Sequence, residues 1–560
     1  MESKGLTFFK KYWQYLLFVI IGSFVYEGVF NNDFINFDDH LQLTENYRVQ
    51  ILNFESIKIL FTTSSVNMYQ PLTSLIFAIL FRFAKFNAGY YHVFSLCIHI
   101  LNTFLVYNFI IYLFKNKTKA IIASLFFLVH PVMVESVLWL SATSTMLYVF
   151  FFFSTAYTYS IYCNTNKNKY YYISILLFLL GLLCKIQIIS FVAITFLIDW
   201  YFNKKIFSLK NVLRKVPFII LTSIFIVVAL TFRSSNHEES ILVNYPIWLL
   251  TPNQIIWYVF KYILPYNLGV LYDWPINFKV REYLFTAFFL TIPASLYFLR
   301  KNRLFVFGIL FFLITVGLHT SLFIRFLAPY ADRYGYLAFV GFIISILSFN
   351  FSKNTKYLYV IVATFLILFT IKTKQQVKVW KNSETIWTNN LSFQNHIIAN
   401  INRSTFYVDT KQYKKSLVDI RTILKSKNAR NKDKASAYYC LGVIYFEENK
   451  FKKAEKNFNE AIKLDEKSYE SFYNLGNIFT YKNSYEKAIQ NYTNGIKINS
   501  EFLSLYKNRA NAYYQSGQYN LALKDVNKAI NLNLQRPFVK TRDATLAEFK
   551  KELLRKLNIN

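Results

Sequence analysis

Asp38 and Asp39 are the residues whose type and spacing most directly suggest chemistry in this sequence. They sit side by side in the polar loop after the first apolar segment. Adjacent carboxylates beside a membrane face are costly unless they meet water, a cation or a substrate. A carboxylate placed there can take a proton from a hydroxyl or hold that hydroxyl in position. In an exposed loop an Asp-Asp pair is more often plain solvated charge, so its neighbours decide its meaning. The other unusual polar residues of the first two-thirds are His130, Glu135, Asp332 and Arg333. Singly, each has a structural reading. His130 can satisfy a backbone carbonyl, Glu135 can pair with a lysine, and Asp332-Arg333 can be a self-contained ion pair. Gathered on one face they form a polar site. Cys97, Cys163, Cys184 and Cys440 show neither CxxC nor metal-ligand spacing, so no metal and no disulfide framework are expected.

Whether these residues meet depends on the elements that carry them. The 560 residues are 54% hydrophobic and 20% aromatic, with mean hydropathy +0.25. That composition excludes a disordered or ordinary soluble chain and points to a polytopic membrane protein. The net charge of +32 sits largely in short loops between apolar runs. Cytoplasmic anchoring explains it better than a nucleic-acid partner does.

Basic clusters occur at Lys4/Lys10/Lys11, Lys115/Lys117/Lys119, Lys167/Lys169, Lys204/Lys205/Lys210/Arg214/Lys215, Arg300/Lys301/Arg303 and Lys353/Lys356. Placing all of them in the cytoplasm gives spans near 91–114, 120–139, 144–163, 170–184, 186–202 and 216–232. Further spans follow near 283–299, 304–323, 335–349 and 357–371. With an uncleaved first span at 15–30 there are about eleven crossings, several shorter than the ~20 residues a bilayer needs. Residues 71–85 and 254–272 carry internal charges and read as helices in the outer interface. The N-terminus is then cytoplasmic, and everything after Ile371 lies outside. This topology brings Asp38, Asp39, His130, Glu135, Asp332 and Arg333 to the outer face, with Pro131 breaking or bending its helix there.

Beyond Lys372 the composition turns charged and amphipathic, and a 34-residue period appears. Tyr438, Leu441, Gly442, Tyr445, Ala454, Phe458 and Ala461 define one unit. Phe472, Leu475, Gly476, Phe479, Ala488, Tyr492 and Gly495 repeat it, and Tyr506, Arg509, Ala510, Tyr513, Ala522, Val526 and Ala529 repeat it again. This is the pattern of tetratricopeptide repeats. Small residues let paired helices approach while aromatics fill the gaps between neighbours. The expected layout is a membrane domain over 1–372, a linker over 373–396, and repeats over 397–536. The first repeat is degenerate, and 435–468, 469–502 and 503–536 are regular. A capping helix over 537–560 carries Leu546, Phe549, Leu553 and Leu557.

The ordered segments NFDD, HPVMVESVLW, ADRYGYL and VWKNSETIW, followed by these repeats, cover nearly the whole chain. In that order the chain resembles bacterial membrane proteins related to the transmembrane-and-tetratricopeptide-repeat O-mannosyltransferases. The resemblance implies an all-α fold: a polytopic GT-C glycosyltransferase-like bundle of transmembrane helices followed by a tetratricopeptide solenoid. It implies transfer of a sugar, mannose for instance, from a polyprenyl-phosphate carrier to a hydroxyl of an exported protein. The acceptor would be held by the repeats, outside a bacterial inner membrane. By that resemblance one of Asp38 and Asp39 is the catalytic carboxylate, Asp39 being the favoured one, and Asp332, Arg333 and Tyr334 shape the site. Arg333 or Lys261 would meet the carrier phosphate, with His130 and Glu135 beside it. No cofactor is implied beyond the lipid-linked donor. The chain departs from the family at Gln70, Met133 and Thr143-Ser144-Thr145, where a histidine, a second histidine and a basic-acidic segment are usual. Two alternatives share the fold: a non-enzymatic scaffold for envelope assembly, and a ligase moving whole glycans from a lipid carrier.

Overall fold

A computed structural model describes residues 2–66, 68–232, 246–273, 280–322, 329–349, 355–534 and 544–558. Among these residues there is no β-strand, only an isolated bridge between Ser65 and Met68. Two compact units divide the chain, one of residues 1–44 and 52–394, the other of residues 45–51 and 395–560.

The first unit opens with α1 (Glu2–Val25), α2 (Pro71–Ala84), α3 (Ala88–Phe114), α4 (Lys117–Val129) and α5 (Val134–Leu138). It continues with α6 (Thr143–Thr165), α7 (Asn168–Cys184), α8 (Phe191–Tyr201), α9 (Val216–Phe232) and α10 (Ile247–Ile263). The last four are α11 (Arg303–Gly317), α12 (Gly335–Leu347), α13 (Thr355–Val379) and α14 (Ser383–Phe393). Asparagines at the edges of the apolar runs start several of them by accepting an otherwise orphaned N–H. Asn87 accepts from Gly89 at 3.0 Å and Asn116 from Lys119 at 3.0 Å, while Asn302 caps α11 through Phe305. Pro131 ends α4 because it has no N–H to donate, and the chain bends by 53° into the segment carrying Glu135.

Four helical stretches are long and apolar enough to cross a membrane: Ala88–Phe114, Leu140–Thr165, Leu209–Phe232 and Tyr357–Val379. The bent pair Lys117–Val129 and Pro131–Leu138 makes a fifth if taken as one span. The remaining expected crossings fall on shorter elements, such as Asn168–Cys184, Ile186–Tyr201 and Arg303–Gly317. The expected cluster residue Lys353 lies outside the described residues.

The glycines of α11 and α12 set a close helix crossing. A Cβ on Gly308 would stand 2.5 Å from the Ser345 nitrogen, and one on Gly341 2.5 Å from the Phe312 nitrogen. Backbones meet there without intervening side chains, the close approach that small residues permit. At the end of α11 stands His319, and immediately before α12 stand Asp332, Arg333 and Tyr334.

The expected linker over 373–396 is corrected. Helix α13 continues unbroken to Val379, and α14 follows with its own capping box at Asn382 and Thr385. Lys374, Lys378 and Lys381 made the stretch look soluble, yet its other face carries Val377, Trp380, Ile386 and Trp387, all buried. An amphipathic stripe and a charged linker have the same composition, and only the burial separates them. The first unit therefore runs to residue 394, and residues 45–51 of the loop beyond Asp39 count with the second unit.

The second unit stacks helix pairs α15 (Ile397–Asp409) and α16 (Tyr413–Lys425), α17 (Asn431–Glu447) and α18 (Phe451–Leu464), α19 (Tyr469–Tyr481) and α20 (Tyr485–Ile498), and α21 (Leu503–Gln515) and α22 (Tyr519–Leu534). The first pair is the degenerate repeat, with Ile420 and Ile423 buried against Val408 and Cys440. Gly442 lies so close to the Phe458 ring that a Cβ would stand 2.5 Å from it, and Gly476 stands likewise against Tyr492. Helix α23 (Ala544–Lys556) caps the stack through Leu546 and Leu553, while residues 537–543 of the expected cap lie outside the described residues.

Candidate functional site

In the first unit the two aspartates behave differently. Asp39 is fully buried, and three donors satisfy its carboxylate. Oδ1 accepts from the Ser141 N–H at 2.9 Å and the Ser141 hydroxyl at 2.6 Å, and Oδ2 accepts from the Ile35 N–H at 3.0 Å. Burial still outweighs those bonds and pushes its carboxyl up to about 6. Asp38 is half-buried, and its carboxylate accepts no hydrogen bond from the described residues, only its main-chain carbonyl doing so from the Gln42 N–H at 3.0 Å. Burial raises its carboxyl as well, and the only charge opposing that rise is Arg333. Asp39 ties the loop to the segment after α5, while Asp38 is presented to the Arg333 side. Phe37 reinforces the tie by stacking on Trp139 at 5.3 Å and meeting Trp387 edge-on at 5.6 Å.

Arg333 is held by Glu135, 198 residues away in sequence. The Arg333 main-chain N–H donates to Glu135 Oε2 at 2.7 Å, and Nη1 donates to Oε1 at 2.5 Å. The guanidinium also lies 4.6 Å from the Trp139 ring and 4.8 Å from that of Tyr334. Tyr334 stacks in turn on His319 at 4.4 Å, nearly parallel. Asp38, Asp39, Glu135, Arg333 and Tyr334 are thus brought together.

Three expected residues take other roles. The ring of His130 is fully used: Nε2 donates to the Tyr262 carbonyl at 3.0 Å, and Nδ1 accepts from the Val132 N–H at 3.3 Å. It caps the turn after α4 and has no lone pair or proton to spare for substrate. Lys261 donates to the carbonyls of Tyr266 and Asn267 and lies over the rings of Trp257, Tyr266 and Tyr272. Caged in this way, it is committed to its own loop. Asp332 accepts from the Tyr272 hydroxyl at 2.9 and 3.0 Å, on the side of Lys261.

Lys185 is the residue that sequence reasoning missed. Its ammonium donates to Thr145 Oγ1 at 2.8 Å and feels both Glu135 and Arg333. Burial, with Arg333 acting in the same direction, pulls it down to about 7. The available signal was a lone lysine between two apolar runs, on the side opposite the basic clusters. Thr145 belongs to the Thr143-Ser144-Thr145 departure, so that triplet supports the lysine. Around this cluster the buried polar atoms Ser136 Oγ, Trp139 Nε1, Ser144 Oγ and His319 Nδ1 have no protein partner. Buried polar groups without partners are rare and expensive. These four belong to residues that adjoin Glu135 and Thr145 in sequence or stack on Arg333 and Tyr334, beside two cations and an unbonded carboxylate, an arrangement that suits a polar, anionic ligand. Among the described residues no group of His, Cys, Asp and Glu could hold a metal ion.

Family models for the tetratricopeptide repeat match residues 435–468, 476–517 and 503–536. The repeats of the second unit are tetratricopeptide repeats. No curated protein matches the chain. Among solved structures, the chain is similar to the crystal structure of MamA protein at 20% identity, covering 30% of this chain and 91% of that one, with a TM-score of 0.24. It is also similar to YrrB, described as a TPR protein with an unusual peptide-binding site, at 17% identity over 30% of this chain and 82% of that one, with a TM-score of 0.24. The TPR2AB domain of yeast Sti1, in complex with a pHSP90, matches at 16% identity over 31% and 81% with a TM-score of 0.14.

Proposed function

We propose that the Asp38–Arg333–Lys185 cluster is the active site of a membrane glycosyltransferase. It moves a sugar from a polyprenyl-phosphate carrier to a hydroxyl of an exported protein. The observation that carries this reading is the half-buried, unbonded Asp38 carboxylate on the side of Arg333. Asp38 takes the proton of the acceptor hydroxyl as the acceptor oxygen bonds to the anomeric carbon. The bond from that carbon to the carrier phosphate oxygen breaks, and the phosphate keeps the electron pair. Arg333, locked by Glu135, and Lys185, held by Thr145, offset the charge developing on the phosphate. Asp39 positions the loop and transfers no proton. The concave face of the repeats holds the acceptor polypeptide, with the site and the repeats both outside the membrane.

The test is glycoproteomics of a deletion strain complemented with wild type, Asp38→Asn or Asp39→Asn. Loss of glycopeptides on deletion, restored by wild type and not by Asp38→Asn, supports the reading. Full restoration by the double variant overturns it. The tetratricopeptide matches favour a second reading, a membrane-anchored scaffold presenting a protein-interaction surface. Under that reading deletion disturbs envelope complexes, and both Asn variants restore them.

A further inference from the structure

The segment VWKNSETIW, residues 379–387, has no part in the proposed reaction, yet it leads into the helix that holds two loops of the site. Ser383, Trp387 and Asn390 follow one another along one face of α14. The first loop leads into Asp38. Its Asp33 N–H donates to the Lys381 carbonyl at 2.9 Å, and its Asn36 N–H donates to Ser383 Oγ at 2.9 Å. The Trp387 indole N–H donates back to Asn36 Oδ1 at 2.7 Å. The second loop leads into Tyr272. The Val270 and Leu271 N–H groups both donate to Asn390 Oδ1 at 3.1 Å, and Asn389 Nδ2 donates to the Leu268 carbonyl at 2.8 Å. The approach is close: a Cβ on Gly269 would stand 2.6 Å from the Phe393 ring. Trp387 and Asn390 are both fully buried.

Each loop delivers one part of the cluster. The Asp38 carboxylate has no donor of its own among the described residues, so its place comes from the backbone on either side. Asp39, bound to Ser141, fixes one side, and Asn36 and Phe37, bound to α14, fix the other. The second loop ends in Tyr272, which donates to both oxygens of Asp332, the residue before Arg333. One helix thus reaches both the carboxylate and the turn that carries the cation. We infer that Trp387 and Asn390 are positioning residues for transfer. Trp387 aims the Asp38 carboxylate through Asn36, and Asn390 aims the Asp332–Arg333 turn through the 268–272 loop. The inference rests on the reading of Asp38 as the base and adds what keeps it in place. Neither side chain takes part in bond making; their effect is geometric, and a displacement of about 1 Å near the reacting atoms can cost about 10²-fold in rate.

The experiment uses the full-length protein in lipid nanodiscs. Its carboxyl groups are labelled with a water-soluble carbodiimide and glycine ethyl ester and mapped by mass spectrometry. Trp387→Phe keeps an aromatic ring and removes the N–H donor. It is expected to raise labelling of Asp38 about two- to tenfold and leave Asp332 unchanged, with the melting temperature near wild type. Asn390→Leu is expected to raise labelling of Asp332 and leave Asp38 unchanged. Asn390→Asp, which keeps the accepting oxygen, is expected to return Asp332 to the wild-type pattern. In an Asn36→Ala background Trp387→Phe is expected to add nothing, because the bond it removes is already gone. In the complemented deletion strain, Trp387→Phe at wild-type protein level is expected to lower glycopeptide yield about ten- to hundredfold. Labelling that rises evenly over all carboxyls, or not at all, overturns the proposal, and so does full glycopeptide yield from a variant whose Asp38 labelling has risen. Asp38→Asn separates it from the catalytic reading. Full yield from Asp38→Asn sinks the catalysis itself, whereas Asp38-dependent yield that is indifferent to Trp387→Phe and Asn390→Leu sinks the positioning alone.

Discussion

Arg333 and Glu135 meet through two hydrogen bonds, one from the main chain at 2.7 Å and one from the guanidinium at 2.5 Å. The main-chain bond fixes where the turn before α12 sits, and the side-chain bond fixes where its cation points. Each carboxylate oxygen serves one of these functions. The Gly308–Gly341 crossing brings α11 and α12 together, so His319 and Tyr334 arrive at the same place.

Removing one partner of this pair leaves a buried charge uncompensated, a loss of about 3–5 kcal/mol. Glu135→Gln should lower the melting temperature of the purified protein markedly, and Glu135→Gln with Arg333→Gln should recover part of the loss. Equal melting of wild type and Glu135→Gln would show that the pair contributes nothing to the fold.

Transfer should depend on Asp38. Asp38→Asn keeps size and removes the charge, and losing a proton-transfer group costs ~10²–10⁴ in rate. Because burial raises the Asp38 carboxyl, the wild-type rate should climb with pH through a midpoint above that of a free aspartate, as the base form appears. Asp39→Asn should keep transfer measurable while disturbing stability. Undiminished transfer by Asp38→Asn would remove it from the chemistry.

Asp39 gives a pH signature of its own. Its folded carboxyl, near 6, lies above the unfolded value of 3.8. The folded state therefore binds the proton more tightly, and stability from this group falls as pH rises from about 4 through about 6. Melting curves across that window should show a steeper decline with pH for wild type than for Asp39→Asn. Parallel curves would mean that Asp39 does not titrate in this range.

The repeat unit, residues 395–560, should fold alone and melt cooperatively by circular dichroism, since each helix pair buries its apolar stripe on its neighbour. Gly442→Trp should destroy that transition, because even a Cβ at this position would stand 2.5 Å from the Phe458 ring. A harmless Gly442→Trp would mean that the repeat register is wrong.

Orientation is open to reporter fusions. Fusions after Lys119, Lys169, Lys215 and Arg303 should report cytoplasm, and fusions after Asp39 and Lys381 should report outside. A cytoplasmic signal from the repeats would separate them from any exported acceptor.

The repeats were legible because a 34-residue period is a local property: helix length, small residues and aromatics all recur along the chain. The apolar runs and the asparagines that cap them were legible for the same reason. The sequence also singled out Asp38-Asp39, Glu135 and Arg333 as unusual for their surroundings, but its preference for Asp39 over Asp38 had no local physical basis and is reversed by the fold. Tertiary structure separated Asp38 from Asp39 because hydrogen bonds from Ser141, 102 residues away, consume one carboxylate and leave the other. It withdrew His130 and Lys261 because backbone carbonyls already occupy them, and it brought in Lys185 because burial beside Thr145 is invisible in a linear chain. It also joined 373–394 to the first unit, where one face of a charged-looking stretch is buried. Helix and repeat follow from neighbours in sequence. The fate of a charge follows from what the fold places against it.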